Sequence, residues 1–161
     1  MKWQLYEGGI RSPLIVWVPG LMNKPVVGKR NRGFIFSAID LVPSLLRLSG
    51  ARKPAGTVFD GEDILDTLLG ENVRSRTEPI FFARPVGFKK MPMPGFEEQL
   101  PDLAVRKGQW KLLCDYDGSR VQLYDLSVDP GESKNLMDSQ PEVTRELAGK
   151  VVAWHRSISE R

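Results

Sequence analysis

Lys2-Trp3-Gln4-Leu5-Tyr6-Glu7-Gly8-Gly9-Ile10-Arg11-Ser12-Pro13 runs straight into Leu14-Ile15-Val16-Trp17-Val18-Pro19-Gly20. A charged turn with two adjacent glycines feeds an unbroken apolar run, residues 14–18, which a Pro-Gly pair closes. A short apolar run between turn signals predicts a strand buried on both faces, as in a parallel sheet. Gly8 and Gly9 are expected to supply a sharp bend or a close backbone approach that a Cβ would hinder. Lys2, Glu7 and Arg11 then fall in a loop beside a sheet, where α/β folds tend to place their chemistry.

Outward from this stretch, residues 1–77 read as α/β and residues 78–161 as a smaller antiparallel sheet with a terminal helix. A basic connection, 21–33, follows the strand and leads to a helix with Asp40 as N-cap and Pro43 in its first turn. Proline costs little there because the first-turn N–H groups have no intrahelical partner. Leu41, Leu45 and Leu48 share one face, and Gly50 ends the helix. Asp60 is the expected cap of a second short helix carrying Ile64, Leu65, Leu68 and Leu69.

Past residue 78 the pattern shortens to strands. Candidates are 80–84, 103–106, 110–114 and 121–125, with Lys107-Gly108 as a tight turn and Asp117-Gly118 as a hairpin signal. Pro141 opens the last helix, whose Val143, Leu147, Val151, Trp154 and Ile158 form a stripe spaced to cover one sheet face. Arg145, Glu146, Lys150 and Arg156 are left for solvent. The proline-rich segment 85–101, with adaptable Met and Phe side chains, reads as a surface loop or a substrate-facing lip.

Composition excludes several classes. With 41% hydrophobic and 27% charged residues the chain is an ordinary globular sequence, and no apolar stretch reaches the roughly 20 residues of a membrane span. Twenty acidic residues offset 23 basic ones, and the densest basic cluster, 24–32, has no aromatic interleaving, which argues against nucleic acid. The single cysteine, Cys114, sits in a strand-like run and reads as a buried, inert thiol. His155 has no second histidine or cysteine near it, so a metal site on it is not expected. Asp125 and Asp129 read as backbone caps or turns, and an acidic pair without a ligand loop is poor support for a cation. Trp110 and Tyr124 read as core aromatics. Met1 is followed at once by the charged turn, without a signal-peptide pattern.

Lys2, Tyr6, Glu7, Gly8, Gly9, Arg11, Pro13, Pro19 and Gly20 match in order and spacing a pattern of the sulfatases. That pattern is a lysine, three residues, an aromatic, then Glu-Gly-Gly-x-Arg-x-Pro and an apolar strand ending in Pro-Gly; Ser12 departs from it mildly. The helix segment from Ile39-Asp40 to Gly50, Phe59-Asp60-Gly61-Glu62-Asp63 followed by Leu68-Leu69-Gly70, Val105-Arg106-Lys107-Gly108-Gln109-Trp110-Lys111-Leu112, and the run Leu123-Tyr124-Asp125-Leu126 through Asp129-Pro130 and Glu132 to Asn135-Leu136 resemble further family segments. The chain therefore resembles the carboxyl-terminal portion of an arylsulfatase-like enzyme of the alkaline-phosphatase-like α/β fold.

The resemblance implies hydrolysis of sulfate esters, aryl or carbohydrate, by a formylglycine nucleophile and a calcium ion. The matching motifs for that nucleophile and for the calcium ligands do not occur in these residues, and Cys114, followed by Asp115-Tyr116-Asp117, does not fit the nucleophile pattern. It implies that Lys2 contacts a sulfate oxygen, and that the chain alone is inactive. Glu7 and Arg11, with Gly8 and Gly9, are expected to fix the turn through an internal ion pair or hydrogen-bond set and so position Lys2. Two other readings stand beside it: a phosphoesterase relative of the same superfamily, and a non-catalytic remnant or partner-dependent module. The missing N-terminal catalytic portion is the expected partner, and an uncovered central strand predicts self-association of the chain by itself. Periplasmic or secreted localisation is implied by the resemblance alone.

Overall fold

The computed structural model describes residues 4–22, 27–85 and 100–159. Two compact units result, one of Met1–Ser12 with Pro79–Arg161 and the other of Pro13–Glu78. Lys2 and most of the segment 85–101 lie outside the described residues. Among the described residues no helix is long and apolar enough to cross a membrane.

The first unit is built on an antiparallel meander, β1 (Ile80–Ala83), β2 (Leu103–Lys107), β3 (Trp110–Cys114) and β4 (Gln122–Asp125), ordered as in the chain. Lys107 pairs with Trp110, so the tight turn is Gly108 and Gln109, one residue later than the spacing suggests. The β3–β4 connection is longer than a two-residue hairpin. Asp115 N–H donates to Ser119 O at 2.9 Å, and Asp115 and Arg120 form an ion pair across the loop.

Strand alternation sends Leu103, Val105, Leu112, Cys114 and Leu123 to one face, where Leu147 and Val151 of α4 (Pro141–Ser159) complete a core. Phe81 and Trp154 stack there with ring centroids 5.1 Å apart. The helical stripe packs as its period requires, except that Ile158, in the last turn, remains 43% exposed. Glu146, on the outward side, bridges Lys107 at 2.9 Å and Lys150 at 2.7 Å.

Ala104, Leu113 and Tyr124 point to the opposite face, where Leu5, with Tyr6 and Ile10 beside it, covers them. The sheet is thus packed on both sides, by a helix on one and by the first described residues on the other. Its exposed edge, β4, is finished by Asn135, whose Oδ1 accepts the Leu123 N–H at 2.9 Å while Leu136 N–H donates to Leu123 O at 2.8 Å.

The second unit departs from expectation. Residues 14–18 form no strand, and Ile15 and Trp17 are 86% and 79% exposed. A strand exists only through ladder bonds to a neighbour, and every strand among the described residues belongs to the meander of the first unit. α2 (Leu41–Ser49) follows a 3-10 turn, Ala38–Asp40, and ends on Gly50 in the left-handed region at φ 69°.

Asp40 occupies the N-cap position of α2 but its side chain makes no cap bond to that helix. It closes a capping box with Ser37, and its other oxygen accepts the Glu62 N–H at 2.9 Å and pairs with Arg76. The face of α2 expected to be core is turned outward, Leu45 being 52% exposed, and Ser44 is the buried position. Its hydroxyl donates to Asp40 O at 2.7 Å and accepts the Ile64 N–H at 3.1 Å. α3 (Leu65–Leu68) is a single turn whose first N–H donates to Asp63 Oδ1 at 3.0 Å, so Asp63 rather than Asp60 supports it. Asp60 instead offers its backbone carbonyl to Arg76.

Gly61 makes this polar knot possible, since a Cβ there would stand 2.0 Å from Ile39 O. Gly61→Ala is expected to cost about 2 kcal/mol or more, because backbone must move. Gly33→Ala, where a Cβ meets nothing within 4 Å, is expected to stay within about 0.5 kcal/mol. Urea denaturation of the two variants measures the difference.

Candidate functional site

The chemistry-bearing residues converge on the face of the sheet away from α4. Arg106, Lys111 and Tyr124 lie in one cross-strand row of β2, β3 and β4. Above that row sits α1 (Glu7–Ile10), a single helical turn entered from Leu5 and Tyr6. Its backbone is closed by Gly9 N–H to Tyr6 O at 2.8 Å and Arg11 N–H to Glu7 O at 2.9 Å.

Glu7 is buried in this arrangement. Its Oε2 accepts from the Arg106 guanidinium at 3.2 Å and its Oε1 from the Lys111 ammonium at 3.2 Å. The Glu7 N–H donates to Glu132 Oε2 at 2.6 Å. Glu132 Oε1 stands 2.8 Å from Lys111 Nζ, an ion pair without hydrogen-bond alignment. Two acids and two bases therefore close a neutral cluster around a lysine with no solvent exposure. Tyr6 and Tyr124 both donate to Gln122 Oε1, at 2.7 and 3.0 Å, beside the cluster. Burial pushes the Tyr124 phenol up to about 12, with Tyr6 and Glu132 adding to the shift.

Of the residues singled out in the sequence, Glu7, Gly8, Gly9 and Arg11 all fall in or next to α1. Arg11 is exposed, and its backbone N–H rather than its guanidinium closes the turn. The charge reaching Glu7 comes instead from Arg106 and Lys111 on the sheet. Neither Gly8 nor Gly9 adopts a positive φ, and a Cβ on Gly8 would meet nothing within 4 Å. One turn of right-handed helix needs no glycine, so the bend expected of them does not require their conformational freedom here.

Lys111 and Glu132 lie in family-like segments of the sequence, but no site role is read for them there. A lysine in a strand ordinarily reads as outward-facing, and Glu132 lies in a turn. The signal was the alternation itself: Lys111 sits between Trp110 and Leu112, hence on the same face as Leu113. Glu132 has φ 54°, unusual for a residue with a side chain, and that conformation accompanies its burial against Lys111.

Asp125 and Asp129 act as backbone caps. Ser127 donates to Asp125 from both hydroxyl and N–H, and the hydroxyl bond holds the Asp125 carboxyl below its usual range. The Lys134 N–H, then Ser133, does the same for Asp129. Among the described residues no three His, Cys, Asp or Glu side chains come together as a metal site. His155 packs on Tyr116 with ring centroids 4.6 Å apart.

Cys114 is wholly buried, and burial pushes its thiol up to about 12, with Asp115 and Asp102 raising it further. At about pH 8 the reactive thiolate is scarce. Iodoacetamide is therefore expected to leave the folded chain unlabelled and to label it fully in denaturant, as read by mass spectrometry.

Residues 1–156 match the family profile described as "N-sulphoglucosamine sulphohydrolase, C-terminal". An N-acetylgalactosamine-6-O-sulfatase of Bacteroides thetaiotaomicron is 32% identical over 91% of this chain and 28% of its own length. Arylsulfatase K of Mus musculus is 30% identical over 93% of this chain and 26% of its own length. A solved structure from work on glycosaminoglycan metabolism by Bacteroides thetaiotaomicron superimposes with a TM-score of 0.55 at 30% identity, covering 80% of this chain and 26% of that one. The chain spans between about a quarter and a third of the length of these relatives.

Proposed function

The chain belongs to the sulfatase family, and we propose that it forms the carboxyl-terminal part of an enzyme that hydrolyses sulfate esters. The match to the family's C-terminal domain over residues 1–156 carries this reading. Sulfated carbohydrates are the favoured substrate class, supported by the relative that acts as an N-acetylgalactosamine-6-O-sulfatase. Aryl sulfates are the convenient probe. In this reading Lys2 contributes a compact ammonium with three donors, placed against a sulfate oxygen where negative charge develops.

Family resemblance assigns the nucleophile to a formylglycine and the metal to calcium. The described residues do not fit either role. They hold no cluster of metal-ligating side chains, and Cys114 is sealed in the sheet. In this reading the part the chain plays is to carry Lys2 and to hold the turn beside it.

The test is turnover of an aryl sulfate and of N-acetylgalactosamine 6-sulfate by the polypeptide that carries these residues together with the rest of the sulfatase. Lys2→Ala is expected to lower kcat/KM by about 100-fold or more, the scale for losing one group that stabilises transition-state charge. The 161-residue chain by itself is expected to show no turnover. Hydrolysis of phosphate esters in preference to sulfate esters would favour the phosphoesterase alternative.

The exposed apolar side chains of the second unit favour a partner-dependent state for the chain alone. Ile15, Trp17, Val42 and Leu45 are each more than half exposed. Apolar surface of this kind is ordinarily covered. The isolated chain is expected to self-associate with rising concentration and to bind a surface-sensitive dye, by analytical ultracentrifugation and fluorescence. A dilution-stable monomer without dye binding would count against this.

A further inference from the structure

Residues 13–39 contain Lys24, Lys29, Arg30 and Arg32 and no acidic residue. Lys29, Arg30 and Arg32 are exposed, and the stretch 28–33 around them holds no apolar side chain. Asn31 Oδ1 accepts the Gly33 N–H at 3.0 Å, which ties the backbone across Arg32. Three residues beyond Arg32, the Ile35 N–H donates to Ser75 Oγ at 2.8 Å. That bond brings in Arg74, the residue before Ser75, whose side chain is also exposed. Elsewhere the fold matches bases with carboxylates, Arg47 with Asp63, Arg76 with Asp40, Arg106 with Glu7 and Arg120 with Asp115. Among the described residues the side chains of Lys29, Arg30, Arg32 and Arg74 enter no such pair, and Glu71, the nearest acid before Arg74, leaves it unmatched.

We propose that Lys29, Arg30, Arg32 and Arg74 form a docking surface for a sulfated polysaccharide, gripping sulfates other than the one being hydrolysed. The inference rests on the reading of the chain as part of a sulfatase acting on sulfated carbohydrate, and extends it from one sugar to a polymer. Lys29 to Arg32 spans at most about 11 Å of chain, close to the Debye length of about 10 Å at 0.1 M salt, so these charges act on a polyanion together. Three of the four cations are arginine, whose guanidinium presents a planar fork of donors to the oxygens of an anionic group. A lipid surface is the poorer fit, because stable anchoring takes an apolar signal besides a basic one and residues 28–33 offer none. Single-stranded nucleic acid calls for aromatic platforms between the charges, and these are absent from the same stretch.

The test is binding of a fluorescently labelled chondroitin 6-sulfate oligosaccharide, followed by anisotropy, to the polypeptide that carries these residues together with the rest of the sulfatase. Replacing Lys29, Arg30 and Arg32 together by alanine is expected to raise Kd by about tenfold or more at about 0.1 M salt. The slope of log Kd against log salt should fall by about two, since three fewer cations displace counterions from the polyanion. Arg74→Ala should weaken binding further when added to the triple variant. A control with Lys134, Arg145 and Arg156 replaced by alanine removes the same charge from exposed positions outside the surface, and is expected to change Kd by less than about twofold.

Turnover supplies a second readout. The triple variant should lose about tenfold in kcat/KM on the polysaccharide while its kcat/KM on an aryl sulfate, too small to reach a remote surface, stays at the wild-type value. Unchanged Kd in the triple variant, or an equal loss in the control, overturns the proposal. So does a tighter grip on single-stranded RNA or on anionic phospholipid vesicles at the same salt, if it is lost with the same three side chains. If the enzyme turns over no sulfate ester, the functional reading falls on its own, and the binding measurement alone decides whether this surface holds the polymer.

Discussion

Everything on the α4-distal side of the sheet depends on one ammonium being kept out of water. Lys111 has no solvent exposure, and two carboxylates are the compensation for its lost hydration. An isolated buried charge is very costly, so neither Glu7 nor Glu132 is dispensable while the lysine stays. That requirement couples three distant pieces of chain: the first described turn, the centre of β3, and the loop after β4. The apolar contacts of Leu5, Tyr6 and Ile10 add adhesion, but only the charges fix a direction.

The second unit is organised on a similar plan with less apolar support. Asp40 and Arg76 are both buried and paired, and the carboxylate also holds the Ser37 and Glu62 amides. Ser44, Asp60 and Gly61 bring further backbone into the same knot. Much of the leucine surface of α2 is meanwhile left outside. A unit that buries only Ile64, Leu65 and Leu69 as aliphatic side chains among the described residues, beside Asp40, Ser44, Thr67 and Arg76, and leaves much of its apolar surface outside is poorly suited to stand alone. This agrees with a chain matching about a quarter to a third of each sulfatase relative.

The antiparallel half was legible in the sequence for a plain reason: its signals are local. The short apolar runs of β2 and β3, the turn signal at Gly108 between them and the helical stripe of α4 each depend on residues within a few positions of one another. Residues 14–18 carried an equally clear apolar run and still formed no strand, because strand formation is decided by a neighbour and not by the run. The α2 stripe pointed the wrong way because the bonds of Asp40 and Ser44, formed with residues about 20 or more positions on, set its rotation. At the candidate site the Glu-Gly-Gly turn was readable, whereas its cationic partners were not. Arg11, four residues from Glu7, was the nearer choice, yet the structure uses Arg106 and Lys111.

The sequence separation within the cluster also bears on how the chain is made. Glu7 and Glu132 are 125 positions apart. At a synthesis rate of about 5–20 residues per second, Glu7 leaves the ribosome roughly 6–25 s before its last partner exists. The meander can zip up as it emerges, since each strand pairs with the one before it. The turn that begins the described chain must wait through all of this with its carboxylate hydrated and its apolar neighbours uncovered. Of the three segments in the cluster it is the first synthesised and the last locked, so an event that delays β4 or its following loop leaves that segment open to other partners in the meantime.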